Sequence, residues 1–183
     1  ARAGIGLRNP GQLLIAGAGD DTVNGSGDMD LISGGAGSNE LYGNGGNDAL
    51  LAVNVVPNDA NGVTGTEGTN TYANDTFDGG DGTDFLLAGG NIDFQGTLVS
   101  IEGIYLSPAY TNKLANNASQ LPTVLTMSGA TMATLPSNLI LDGTGSIVVN
   151  LAVGETFNGA GYTFDPGSNV TFTVNGSTAG DTI

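Results

Sequence analysis

The chain has 183 residues, enough for one or two domains, with 18 acidic side chains against three basic ones (Arg2, Arg8 and Lys113) and a net charge of −15. That balance repels nucleic acid and anionic membrane, so neither is an expected partner. There is no Cys and no His, which excludes disulfides, the commonest zinc and transition-metal ligands, the usual general base and a thiol nucleophile.

Residues 1–15 lead in, and Leu14 stands nine before Val23, so a degenerate first rung is expected there. Four contiguous nine-residue blocks follow: AGAGDDTVN (16–24), GSGDMDLIS (25–33), GGAGSNELY (34–42) and GNGGNDALL (43–51). Their sixth positions are Asp21, Asp30, Asn39 and Asp48, and their eighth positions are Val23, Ile32, Leu41 and Leu50. An aliphatic residue every nine positions makes no helical stripe. Two such blocks instead make one coil of a flattened parallel spiral, each giving a glycine-rich turn and a very short strand whose aliphatic residue points inward. Glycine allows the positive φ and close backbone approach that the turns need. Residues 18 apart then lie over one another, Asp21 over Asn39 and Asp30 over Asp48. Carboxylates stacked about 5 Å apart repel unless a hard cation lies between them. Asp oxygens with turn carbonyls suit Ca²⁺, which takes about six to eight oxygen ligands. Asn39 is neutral, so the Asp21/Asn39 position is expected to bind less tightly than Asp30/Asp48.

Residues 52–69 break the pattern with polar and glycine-rich turn residues. Asp48 to Asp75 is 27 residues, three times nine, so the spiral is expected to stay in phase under a loop, although Pro57 and Thr66 stand at the intervening sixth positions. The next blocks are NTYANDTFD (70–78, Asp75 and Phe77), GGDGTDFLL (79–87, Asp84 and Leu86) and AGGNIDFQG (88–96, Asp93, with Gln95 where an aliphatic belongs). Asp75 and Asp93, 18 apart, are expected to share a cation; Asp84 has Glu102 as a weaker partner. Residues 97–175 hold short strand-forming runs (TLVSIEGIYLS, VLTMS, NLILD, SIVVNLAV, NVTFTVN) punctuated by Gly, Pro and Asn. Helix content should be low, with one short candidate at 110–119. Either a looser, calcium-free parallel β-helix or an inserted antiparallel sandwich fits. The first is favoured, because GSTAGDTI (176–183) returns to the repeat, with Asp181 sixth and Ile183 eighth. The chain begins at Ala1 and ends inside that block, so it is expected to be a piece of a longer polypeptide.

The blocks resemble the G-G-x-G-x-D-x-U-x nonapeptide of repeats-in-toxin (RTX) proteins. GGDGTDFLL matches every defined position, GGAGSNELY departs at Asn39, GNGGNDALL at Asn44, and GSGDMDLIS at Ser26 and Asp28. The resemblance implies an all-β protein: a calcium-bound parallel β-roll (β-solenoid) continuing into an irregular β-helix or β-rich segment. It implies Ca²⁺ as cofactor, with Asp21, Asp30, Asn39, Asp48, Asp75, Asp84 and Asp93 as metal ligands. The expected organisation is a β-roll over 1–96 with a loop at about 52–69, a calcium-poor β-rich segment over 97–175, and a truncated further repeat at 176–183.

Catalysis has little support. No Gly-x-Ser-x-Gly elbow with a base partner is present, and the pairs Asp20/Asp21 and Asp28/Asp30 lie in the repeat, where ligation or turn solvation accounts for them better than glycoside hydrolysis. Asp165-Pro166 reads as an ordinary turn start rather than a calcium-triggered cleavage site, and the five tyrosines are too scattered to form a sugar-binding platform. No run approaches the roughly 18 apolar residues of a membrane-spanning helix. The resemblance further implies type I secretion and an extracellular or cell-surface location. DFQGTLVSIEGIYLS is similar to the stretch that follows RTX runs in bacterial S-layer proteins and large adhesins. The expected function is therefore a non-catalytic, calcium-binding structural segment of such a protein, with self-assembly or other surface components as partners. The alternative is an accessory module of a type I secreted polysaccharide-acting enzyme or toxin; an acidic polymer would need a basic strip that three bases cannot make.

Overall fold

The computed structural model describes residues 11–53, 70–107, 123–178 and 180–182. The expectations for the lead-in before residue 11, Pro57 and Thr66, the 110–119 helix, Tyr110 and Ile183 fall outside those residues, as do all three basic side chains.

The chain winds as stacked parallel coils. The first coil holds β1 (Leu13–Ile15) and β2 (Thr22–Asn24), and the second holds β3 (Leu31–Ser33) and β4 (Glu40–Tyr42). The third holds β6 (Ala49–Val53), β7 (Asn70–Tyr72) and β8 (Thr76–Asp78), preceded in the turn by the short β5 (Gly45–Gly46). The fourth holds β9 (Asp81–Gly82), β10 (Phe85–Gly89), β11 (Asn91–Phe94) and β12 (Thr97–Val99). Above it lie β13 (Gly103–Leu106), β14 (Val124–Ser128), the four-residue helix α1 (Gly129–Met132), β15 (Ile140–Asn150), β16 (Thr163–Phe164) and β17 (Asn169–Asn175). Among the described residues every strand pairing is parallel, as in a solenoid and unlike an antiparallel sandwich.

One face of the roll is β1-β3-β6-β10-β13-β15, and the opposite face is β2-β4-β8-β12. Register puts each eighth-position aliphatic on its counterpart: Leu14 on Ile32, Ile32 on Leu50, Leu50 on Leu86 and Leu86 on Ile104. Across the core, Val23 stacks on Leu41, Leu41 on Phe77 and Phe77 on Leu98. Ile32, Leu41, Leu50, Leu86 and Ile104 are wholly buried. Each such side chain contributes about 1.5–3 kcal/mol of burial, which is how strands of three residues persist at all.

A third face opens at β7. There the order β7-β11-β14-β15 builds a second wall, and β15 serves both walls by bending at Gly143 and Gly145, both at positive φ. Tyr72, Phe77 and Phe94 pack ring to ring behind it, with centroids 5.2–6.0 Å apart. The Tyr72 hydroxyl both accepts from Val53 N–H (3.0 Å) and donates to Val53 C=O (3.2 Å), pinning the new wall to the old one.

Several registers differ from a uniform 18-residue repeat, and those at offsets of 36 and 21 bear on the sixth-position side chains. β6 pairs directly with β10 and β4 with β8, each at an offset of 36, so no rung intervenes between these strands. The step from β8 to β12 is 21 residues, Thr76 facing Thr97.

Candidate metal sites

Asp21, Asp30, Asn39, Asp48, Asp75 and Asp84 each sit at the end of a turn, one residue before a strand, so strand register stacks these side chains into two columns. In the first, Asp30 N–H donates to Asp48 Oδ1 (2.7 Å), Asp48 N–H to Asp84 Oδ1 (2.7 Å) and Asp84 N–H to Glu102 Oε2 (2.9 Å). Gln12 N–H begins the ladder on Asp30 Oδ1 (2.7 Å). In the second, Asp21 N–H donates to Asn39 Oδ1 (3.1 Å) and Asn39 N–H to Asp75 Oδ1 (3.0 Å). In Asp30, Asn39, Asp48, Asp75 and Asp84 one side-chain oxygen is thus satisfied by a backbone N–H of the preceding coil, a contact that carboxylate repulsion alone does not foretell.

The second oxygen distinguishes the turns. Asp48 and Asp84 are 2% and 0% exposed, and the Oδ2 of each is buried with no hydrogen-bond partner. In these turns the first glycine lies under the carboxylate: a Cβ on Gly79 would fall 2.6 Å from Asp84 Oδ2, and one on Gly43 would collide with Asp48 Oδ2 and with the Gly79 carbonyl. At Asp30, 2% exposed, Oδ2 accepts instead from Ser26 N–H (2.6 Å) and Ser26 Oγ (3.0 Å). Ser26 occupies the second-glycine position, so this departure from the repeat supplies a donor. Asn44, the other departure, takes φ +73°, which Asn tolerates, and donates to Gly25 C=O (3.0 Å).

A buried anionic oxygen without a donor is costly. Burial raises the Asp48 carboxyl to about 6, against the Asp30 N–H, which lowers it; the nearby Asp84 and Asp30 charges push the same way as burial. Asp84 is raised by burial and by Glu102 and Asp78, opposed by the Asp48 N–H. Asp75 is raised by burial, opposed by hydrogen bonds from Asn39. A bound cation would supply what the two orphaned oxygens lack. Asp48 and Asp84, with carbonyl-rich glycine turns beside them, offer the all-oxygen set that suits Ca²⁺. Among the described residues no three acidic side chains converge on one point. The columns supply one carboxylate per coil, so backbone oxygens must make up the rest of any shell.

Asp93 lies away from both columns, which corrects the expected Asp75/Asp93 pair. The 21-residue step puts Gly96, not Asp93, over Asp75. Asp93 is instead the middle of β11, where alternation buries Ile92 and Phe94 and turns Asp93 to the outside; its Oδ2 accepts from Gln95 Nε2 (2.7 Å). Gln95 in place of an aliphatic is the mark of this change in the sequence. In the last block, Asp181 accepts from Gly154 N–H (3.0 Å) and from Ser177 N–H. Those bonds, led by the one with the Ser177 side chain, lower its pKa.

Parallel coils, inward aliphatics and buried carboxylates at glycine turns define a calcium-binding β-roll. The family model described as the RTX calcium-binding nonapeptide repeat matches residues 24–52 and 64–95, in four copies. Those two segments are RTX calcium-binding repeats, and Ca²⁺ is their ion. Neither the curated proteins nor the solved structures gave a match.

Proposed function

We propose that this segment is a non-catalytic structural element of a large secreted or cell-surface bacterial protein, an S-layer protein or adhesin, that folds and stiffens when it meets extracellular calcium. The observation that carries this reading is the pair of buried, donorless oxygens on Asp48 and Asp84. Without a cation they oppose the compact roll; with one they cross-link successive coils, so ion binding becomes folding free energy. The lack of His and Cys supports a non-catalytic role. The continuous parallel stack supports a rod-like, load-transmitting one, and partners would be copies of the chain or other surface components. Far-UV circular dichroism during a Ca²⁺ titration, with Mg²⁺ as control, tests it. A cooperative gain of β signal with Ca²⁺ alone is expected. A chain already folded in chelator and unmoved by Ca²⁺ would remove the calcium-triggered mechanism.

A further inference from the structure

The turn at 34–39 ends in an amide where the turns at 25–30, 43–48 and 79–84 end in a carboxylate. In those three turns a carboxylate Oδ2 lies within 2.6 Å of where a Cβ on the first glycine would stand, beside a carbonyl oxygen of the next coil. At Gly34 the corresponding polar atom is the amide nitrogen of Asn39, 2.8 Å from where a Cβ would stand. That nitrogen donates to the Gly37 carbonyl (3.3 Å) and to Asp75 Oδ1 (3.3 Å). The amide orientation is dictated by its partners. Asn39 Oδ1 accepts from Asp21 N–H (3.1 Å); turned over, the amide would set NH₂ against that N–H and its oxygen against the Asp75 carboxylate. Asn39 is 1% exposed, so water does not compete for these groups.

From this geometry we infer that the Asn39 side-chain nitrogen takes the place of a cation in its turn: it binds the turn carbonyl and the neighbouring carboxylate that a metal would otherwise hold, and the 34–39 turn closes without calcium. An amide nitrogen donates and does not ligate a hard cation, and Asn39 Oδ1 is committed to the Asp21 N–H. Asn39 is therefore not a ligand in this chain. Calcium demand is concentrated at the turns of Asp48 and Asp84, whose second oxygens have no donor. The inference rests on the calcium-binding reading above and assigns which turns take up the ion.

The test is calcium stoichiometry, measured by equilibrium dialysis on the whole chain and on two variants, with circular dichroism to confirm folding. Asn39→Asp restores the carboxylate and should bind one more ion per chain than the native protein. Asn39→Ala should leave the ion count unchanged, whereas a ligand role for Asn39 requires the loss of one. A folded Asn39→Asp with an unchanged count, or an Asn39→Ala that loses an ion, overturns the inference. If Asn39→Asp does not fold, the Asn39→Ala count decides alone. A native chain that binds no calcium overturns the functional reading and this one together, and is told apart by the native measurement.

Discussion

Asp48 has one carboxylate oxygen held by a backbone donor and one held by nothing, and this asymmetry sets its response to both protons and ions. Burial pushes its carboxyl up to about 6, above the ordinary value of 3.8. Between those values the folded state binds more protons than the unfolded one, so the contribution of this group to stability is fully present below the lower value and is lost as pH rises through about 6. Asp75 and Asp84, also raised, add in the same direction. Thermal melts in chelator should therefore give a Tm that falls between pH 4.5 and 7, and saturating Ca²⁺ should flatten or reverse that slope. Asp48→Asn keeps an oxygen for the Asp30 N–H and replaces the orphaned charge with an amide. Urea unfolding should show it more stable than the native chain in chelator, by about 1–3 kcal/mol, and less responsive to calcium. An apo protein destabilised by Asp48→Asn would contradict the account of the orphaned oxygen.

Elements here are too short to stand alone and are held by stacking. Leu86 sits mid-column between Leu50 and Ile104, wholly buried, with no helix or long strand to compensate for its loss. Leu86→Ala should cost about 2–5 kcal/mol in a denaturant titration with calcium present. The turns are equally constrained. Gly37 takes φ +125°, and a Cβ there would collide with the Gly19 carbonyl of the coil beside it. Gly37→Ala should therefore destabilise more than the roughly 1 kcal/mol of an ordinary strained glycine site, because the coil spacing itself must open. The third wall depends on Tyr72. Removing its hydroxyl leaves Val53 N–H and C=O without that partner in a buried place, and Tyr72→Phe should cost about 1–3 kcal/mol.

For the molecule as a whole, the acids have little to offset them. Arg2, Arg8 and Lys113 are the only bases against 18 acids, so the stack carries a strong negative field that cations must answer. Raising free Ca²⁺ from the dissociation constant to a hundredfold above it should add roughly 2 kcal/mol per site that forms only on folding. Tm should accordingly climb with calcium concentration and return to its starting value on adding chelator. A Tm independent of calcium would mean that the buried carboxylates are satisfied some other way.

Much of this was legible in nine-residue arithmetic. Sixth-position acids and eighth-position aliphatics fixed two inward columns and two polar ones, because a period that fits neither helix nor plain strand leaves only stacked coils. Asp21, Asp30, Asn39, Asp48, Asp75 and Asp84 lie at the coil positions their spacing implies. Spacing fails where the coil length changes. The 36-residue register offset stacks Asp48 on Asp84 without a rung between, and the 21-residue step takes Asp93 off its column, into a strand between the buried Ile92 and Phe94. The third wall likewise depends on strands far apart in sequence, β7, β11, β14 and β15. Whether a carboxylate is free for an ion is also a tertiary matter. Asp30, Asp48 and Asp84 are identical in type and place in the repeat. They differ only in whether Ser26, or no donor at all, stands at the second oxygen once the coils are stacked.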